Sequence, residues 1–285
     1  MATIAVLGTG LLGTGFVLNL VGKGHTVRVW NRTAAKAEAL ATAGAVVAAT
    51  PAEAAAGAER VHLVLAEDAA VDMVIAALRP GLSEGAPIVD HSTNQPAKVA
   101  ARVARLAGEG VRYLHAPVFM NPRNARDASG IMLIAGPTAE VEALRPALEA
   151  MTGKLWHTGE RPDGAAVHKL TGNGMLIGLA GLLGDLYTMN DAAGMAPADV
   201  DQLFQVFNPA ALLGMIGQRV QSGGPRPASF ELGMARKDVR LMIETAGGTD
   251  GLAVLPGVAA AMDLSIADGR AADDYGVFAW RRRHG

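Results

Sequence analysis

The chain contains no cysteine, which rules out disulfide staples and thiol chemistry and leads us to expect a reducing, cytoplasmic compartment. Net charge is nearly absent as well, at −2. Without a concentrated basic face, nucleic acid is not an expected partner. The seven histidines form no H-x-x-x-H or similar pair, so no metal is expected. Nor is there an uninterrupted apolar run of membrane length. The closest, around Met175 to Leu183, reads as a buried helix, and no membrane partner is expected. The apolar start lacks the basic stretch of a secretory signal, and its glycines have another use. Aromatic residues are only 4% of the chain, while alanine and glycine are abundant, as close helix packing requires.

The most informative stretch is Gly8-Thr9-Gly10-Leu11-Leu12-Gly13, set between the strand-like run Ile4–Leu7 and an apolar helix. In this context Gly8 permits a tight exit from a strand, Gly10 a close backbone approach to a pyrophosphate, and Gly13 close packing of helix on sheet. The free N–H groups and positive dipole end of that helix favour phosphate. A second strand, Thr26–Trp30, ends in Asn31-Arg32-Thr33. NAD-selective sites place an acidic residue near this point, whereas a basic one accommodates a 2′-phosphate. Asn31 does not repel a phosphate and Arg32 can bind one, so the expected cofactor is NADP(H).

Up to about Thr158, β-rich runs alternate with alanine-rich helical stretches. Further strands are predicted at Val61–Leu65, Pro87–Asp90, Val111–His115, Ile131–Ala135 and Lys154–Trp156. Helices are predicted at Ala34–Ala43, Ala69–Leu78, Pro96–Ala107 and Thr138–Met151. The alternation implies a mainly parallel, doubly wound α/β sheet. Beyond Asp163 the strand signals stop. Residues 164–193 read as one long helix, apolar on most faces and hence expected to be central and buried. Shorter helices follow near Pro197–Val206, Pro209–Gln221, Glu231–Thr245 and Pro256–Ala267. The expected organisation is a dinucleotide-binding Rossmann domain over residues 1–160, then an all-α substrate and dimerisation domain over residues 161–285, joined by the long interdomain helix.

These motifs, in this order and along essentially the whole chain, resemble the β-hydroxyacid dehydrogenase family, the relatives of 3-hydroxyisobutyrate and 6-phosphogluconate dehydrogenases. Imine reductases and reductive aminases are similar neighbours. The glycine loop runs on to Asn19-Leu20 and Gly24-His25. Asp90-His91-Ser92-Thr93 resembles the D-x-S-T segment beside the nicotinamide, and Ala116-Pro117-Val118 resembles the opening of the substrate loop. Lys169 and Asn173 are similar to the catalytic lysine and asparagine, and Phe230 with Lys237-Asp238 to the late F…KD segment.

The resemblance implies that Ser92, Thr93 and Lys237 reach the cofactor and that Leu65-Ala66-Glu67 contacts its adenine–ribose side. It also implies that Ser92, Pro117, Val118, Phe119, Met120 and Asn121 border the substrate. Relatives form homodimers whose long helices pack across subunits and complete each other's cleft, and the same is expected here. The apolar helical half supports that expectation.

The chemistry of Lys169 and Asn173 also follows from their spacing. Four apart on a predicted helix, both side chains leave one face. In a cleft, the lysine can protonate an alkoxide that forms as hydride reaches a carbonyl carbon; its neutral form accepts the hydroxyl proton in reverse. Desolvation lowers its pKa, which favours the base role. Asn173 offers an amide to orient the oxygen. Asp90 reads as structural, Phe230 as packing.

Departures from the family pattern bear on the substrate. Carboxylate-handling relatives follow Ala-Pro-Val with Ser-Gly-Gly. This chain has Phe119-Met120-Asn121-Pro122-Arg123, which replaces a small polar nest with apolar bulk. Either the substrate is more apolar, or a carboxylate is held otherwise. Arg123 and Arg126 are candidates for that, and equally read as solvated loop residues. Ala165 stands where a glycine is usual. Imine reductases usually replace the lysine with aspartate or tyrosine, so Lys169 favours carbonyl chemistry, while the apolar loop points partly back toward imines. The expected activity is NADPH-dependent reduction of a small aldehyde or ketone, or oxidation of the corresponding β-hydroxyacid-type alcohol. Imine reduction is the alternative, and an NADP-binding protein without efficient turnover the second.

Overall fold

A computed structural model describes residues 1–284. The chain forms two compact units, the first Met1–Asn173 and the second from Gly174 onward.

The first unit begins β1 (Thr3–Leu7), α1 (Leu11–Gly22), β2 (Thr26–Trp30), α2 (Ala34–Glu38), β3 (Val46–Val47), α3 (Pro51–Ala55) and β4 (Arg60–Leu63). It continues with α4 (Asp68–Leu78), β5 (Ile88–Asp90), α5 (Pro96–Gly108) and β6 (Tyr113–His115). These strands make one six-stranded sheet in the order β3-β2-β1-β4-β5-β6, and every pair in it is parallel. β4 and β5 are buried at every position, as befits parallel strands covered on both faces. Alternation along β1 feeds two cores: Ile4 and Val6 join Phe16, Val17 and Leu20 of α1, while Ala5 and Leu7 join Val71, Ile75 and Leu78 of α4. This is the expected doubly wound arrangement.

The two later strands leave that sheet. After Ala116 the chain forms β7 (Val118–Phe119), α6 (Pro122–Arg126), β8 (Ile131–Ile134), α7 (Thr138–Glu149) and β9 (Lys154–His157). β7, β8 and β9 make a separate three-stranded sheet, in which β7 and β8 are antiparallel and β8 and β9 parallel. An isolated antiparallel bridge, His115 to Ala135, marks the change of sheet.

The long helix α8 (Gly164–Ala192) starts in the first unit and continues into the second. There follow α9 (Pro197–Val206), α10 (Leu213–Ser222), α11 (Leu232–Thr245), α12 (Leu255–Ala267) and α13 (Val277–His284), with no strand among the described residues of that unit. Asp185 on α8 is buried and accepts the N–H groups of Ala253, Val254 and Leu255 at 2.6, 2.9 and 2.8 Å. One carboxylate thus satisfies the start of α12. Contrary to expectation, α8 is not buried along its length: Met175, Leu176 and Ile177 are 44, 62 and 72% exposed. A helix apolar on most faces needs neighbours all round, and within one chain this stretch lacks them on its outer side.

Candidate active site

The sheet order reverses at β1, with β2 on one side and β4 on the other. Ligands of open α/β sheets settle at the carboxyl ends of strands flanking such a reversal. Here those ends enclose a cavity of about 260 Å³. Gly8 and Gly10 line it after β1, Asn31, Arg32, Thr33 and Lys36 after β2, and Leu65, Ala66 and Glu67 after β4.

The glycine loop is shaped for close approach. Gly8 has φ +100°, and a β-carbon there would stand 2.2 Å from the Val64 carbonyl oxygen. At Gly13 a β-carbon would stand 1.9 Å from the Gly8 carbonyl oxygen, so only glycine lets α1 start so close to the strand exit. At Gly10 it would meet nothing within 4 Å, leaving that side of the loop open. Gly10 is also the N-cap of α1, and no side chain caps the first turn among the described residues. Free N–H donors and the positive helix end therefore face an open cradle. The residues present fit a dinucleotide pyrophosphate. Thr9 is buried, Leu12 half-buried and Leu11 exposed.

Asn31 braces this loop: its Oδ1 accepts the Thr9 N–H at 3.1 Å, and its Nδ2 donates to the Thr33 carbonyl at 2.9 Å. Arg32 is exposed beside it and makes no hydrogen bond or ion pair among the described residues. A free guanidinium with Lys36 on the same cavity wall is the chemistry that a ribose phosphate requires.

Ser92 is buried, its N–H donating to Asp90 Oδ1 and its hydroxyl accepting the Leu65 N–H, both at 2.9 Å. It ties the end of β5 to the end of β4, with one hydroxyl proton left to donate. Thr93 beside it is exposed. Asp90 is fully buried, and its Oδ2 accepts Asn94 Nδ2 and the Tyr113 hydroxyl, both at 2.7 Å. It acts as a structural hub.

In the loop after β6, Pro117 and Val118 are buried, Phe119 and Met120 half-buried, and Asn121 exposed. Val118 lies in the core, and Met120 packs against it. Asn121 is the N-cap of α6: its Oδ1 accepts the Asn124 N–H at 2.8 Å, and Asn124 Oδ1 accepts the Asn121 N–H at 3.0 Å. This reciprocal box commits the Asn121 carboxamide to its own helix. Arg123 and Arg126 both pair with Asp127, at 3.4 and 3.0 Å, on the surface of α6.

Phe119 turns to the lysine. The Lys169 Nζ lies 4.3 Å from the centroid of its ring and donates to Asn173 Oδ1 at 3.0 Å. Burial holds the ammonium below the ordinary lysine pKa. The predicted pairing along α8 therefore exists, with an aromatic wall at its side. The sequence reading places Phe119 beside the substrate but not against Lys169, since nothing in the sequence connects positions 50 residues apart. Lys237 belongs to the second unit, on α11, where it pairs with Asp238 at 2.8 Å; Phe230 packs on Tyr275 at 5.6 Å between ring centroids. Among the described residues no group of three or more metal-ligating side chains occurs, and no helix is long and apolar enough to cross a membrane.

A glycine-lined switch point and, on α8, an ordered lysine–asparagine pair fit one class: a Rossmann-type oxidoreductase. The NAD binding domain of 6-phosphogluconate dehydrogenase matches residues 3–159, and the chain belongs to that family. It is 31% identical over 253 residues to 3-sulfolactaldehyde reductase of Escherichia coli, covering 86% of this chain and 84% of that protein. Among solved structures it is similar to an imine reductase of Streptomyces aurantiacus, at 26% identity and TM-score 0.84, covering 97% of this chain and 98% of that one. An imine reductase of Myxococcus stipitatus in complex with NADP+ shares the fold at 20% identity and TM-score 0.85, with 97 and 98% coverage. The protein is thus an NAD(P)-dependent oxidoreductase of the hydroxyacid dehydrogenase family with imine reductases as structural neighbours.

Proposed function

We propose that this protein uses NADPH to reduce a small aldehyde or ketone, and in reverse oxidises the corresponding β-hydroxyacid-type alcohol, with Lys169 as general acid and base. The observation that carries this reading is the 3.0 Å hydrogen bond from Lys169 Nζ to Asn173 Oδ1. It fixes a proton donor of lowered pKa beside an amide on one helix face. When bound, the dinucleotide supplies the hydride. Lys169 then delivers a proton to the nascent alkoxide oxygen, and Asn173, through its amide N–H, orients that oxygen. Gly8–Gly13 hold the pyrophosphate. Arg32 selects the 2′-phosphate, a preference consistent with the NADP+ held by the Myxococcus protein.

A second reading is imine reduction on the same scaffold. The Phe119 ring against Lys169 favours it, because an apolar wall suits amine-derived substrates, and so does the likeness to the Streptomyces imine reductase. We also propose a homodimer whose partner chain completes the cleft, supported by the apolar residues left exposed on α8. A monomer by light scattering at micromolar concentration would refute it.

The deciding experiment follows loss of NADPH absorbance against acidic aldehydes, neutral aldehydes and cyclic imines, with Lys169→Ala as control. Aldehyde turnover abolished by the substitution supports the first reading. Imine turnover that survives it supports the second. Tight NADPH binding with no oxidation across the panel would instead indicate a binding protein without efficient turnover.

A further inference from the structure

Beneath α1, a line of buried side chains crosses three strands of the six-stranded sheet. Arg60 Nε donates to His62 Nε2 at 3.0 Å, the His62 and His91 rings meet Nδ1 to Nε2 at 2.9 Å, and His91 Nδ1 meets the Ala116 carbonyl oxygen at 2.7 Å. Both rings are buried, and Phe16 of α1 packs on His91 at 5.0 Å between centroids.

Every proton in this line is determined from both ends. A guanidinium nitrogen only donates, so His62 Nε2 is the acceptor and its proton sits on Nδ1. A carbonyl only accepts, so the His91 proton also sits on Nδ1, and its Nε2 accepts from His62. The two assignments agree, and both rings are neutral. A further proton on either ring would set two donors face to face. The line is therefore a strut rather than a proton relay.

Its far end lies where position matters. The Ala116 N–H is held by the Asp90 carbonyl at 2.7 Å, and its carbonyl by His91. The chain there leaves the six-stranded sheet, and three residues later Phe119 lies against Lys169. We propose that His91 is a positioning residue: it anchors the Ala116 carbonyl and, through that anchor, sets the Phe119 ring against Lys169. The proposal rests on the assignment of Lys169 as the acid–base group only for its effect on turnover. Its effect on the Lys169 environment needs no substrate.

The test compares His91→Phe, which fills the site but donates nothing, with His91→Asn, whose amide N–H can replace Nδ1–H. Lysine side-chain NMR of the unliganded protein reads the Lys169 titration, and kinetics give kcat and KM separately. His91→Phe is expected to move the Lys169 pKa toward its ordinary value as water reaches the loosened ring, with kcat/KM down about tenfold or more; His91→Asn should restore both. A folded His91→Phe protein with an unchanged Lys169 titration would overturn the proposal. If that variant does not fold, nitrogen NMR of the native histidines decides. His91 must keep its Nδ1–H tautomer from about pH 8 to 5, and an Nε2–H or protonated ring at pH 6 to 7 would overturn it. A shifted lysine titration with no turnover in any protein would instead remove the acid–base assignment and leave the strut intact.

Discussion

The ring of Phe119 occupies the space that a β-carbon at Gly172 would need, its Cζ only 2.3 Å from where that carbon would stand. Gly172 follows Lys169 by three residues and shares its face of α8, so the same contact that seats the ring also sets the wall beside the lysine.

Gly172→Ala therefore carries two opposed effects. Alanine is favoured over glycine inside a helix by about 1 kcal/mol, while overpacking against a rigid ring costs about 1–3 kcal/mol. The substitution should destabilise the native protein, and should stabilise it once Phe119 is also alanine. Urea unfolding of the four proteins in a double-mutant cycle checks this reversal of sign. Equal effects in both backgrounds would mean that the ring does not occupy that space in solution.

Lys169 makes a prediction about pH. Burial lowers its pKa, so the protonated form needed for carbonyl reduction is lost at lower pH than for an exposed lysine. Reduction should decline, and alcohol oxidation should rise, through the same lowered pKa. Lys169→Ala should remove this limb and reduce kcat by about 10²- to 10⁴-fold, with NADPH affinity unchanged. Steady-state pH profiles in both directions provide the check. A profile that keeps its basic limb in the alanine variant would assign the limb to another group.

Much of this was legible because it is local. Gly8–Gly13 carry their strand, turn and helix within one stretch of chain, and Lys169 and Asn173 are joined by helix period alone. What was not legible depends on pairs far apart in sequence. The predicted strands Ile131–Ala135 and Lys154–Trp156 form as β8 and β9, yet periodicity cannot tell which sheet they join, and with β7 they make a second one. The loop after Val118 hid a five-residue helix, α6, because the reciprocal bonds of Asn121 and Asn124 that start it also suit an ordinary turn. His62 and His91 share no motif, and only the parallel register of β4 and β5 brings them together. Hydropathy along α8 reports a need for burial and not what covers the surface, so it does not show that a single chain leaves Met175, Leu176 and Ile177 exposed.

Arg32 tests the cofactor assignment. Its guanidinium is unpaired among the described residues and shares a cavity wall with Lys36. A charge-assisted contact to a 2′-phosphate contributes about 1.5–3 kcal/mol. Arg32→Ala should therefore weaken NADPH binding by about 10- to 100-fold while NADH, which lacks that phosphate, changes little. Titration calorimetry with both nucleotides measures the difference. Equal losses for the two would assign Arg32 a structural role.

The buried histidines give the last prediction, on acid stability. Burial pushes His91 down to about 4 and His62 well below the usual imidazole value. In the unfolded chain both titrate near 6.5. Between these limits the unfolded state binds protons that the folded state refuses, so stability rises with pH across that window. The contribution is fully present above about pH 6.5 and is lost as pH falls toward 4, with His91 alone accounting for about 3 kcal/mol. Urea midpoints should thus drop steeply between about pH 6.5 and 4. Replacing His91 with asparagine, which does not titrate there, should flatten the slope even where it lowers stability at neutral pH. An equally steep slope in that variant would place the acid sensitivity of this window in the other buried histidines, His62 and His115, whose pKa burial also lowers. The pH window, not the sign, separates histidines from carboxylates: carboxylates held below their ordinary pKa, such as Asp72 beside Arg102, lose their contribution only below the ordinary carboxylate range near 4.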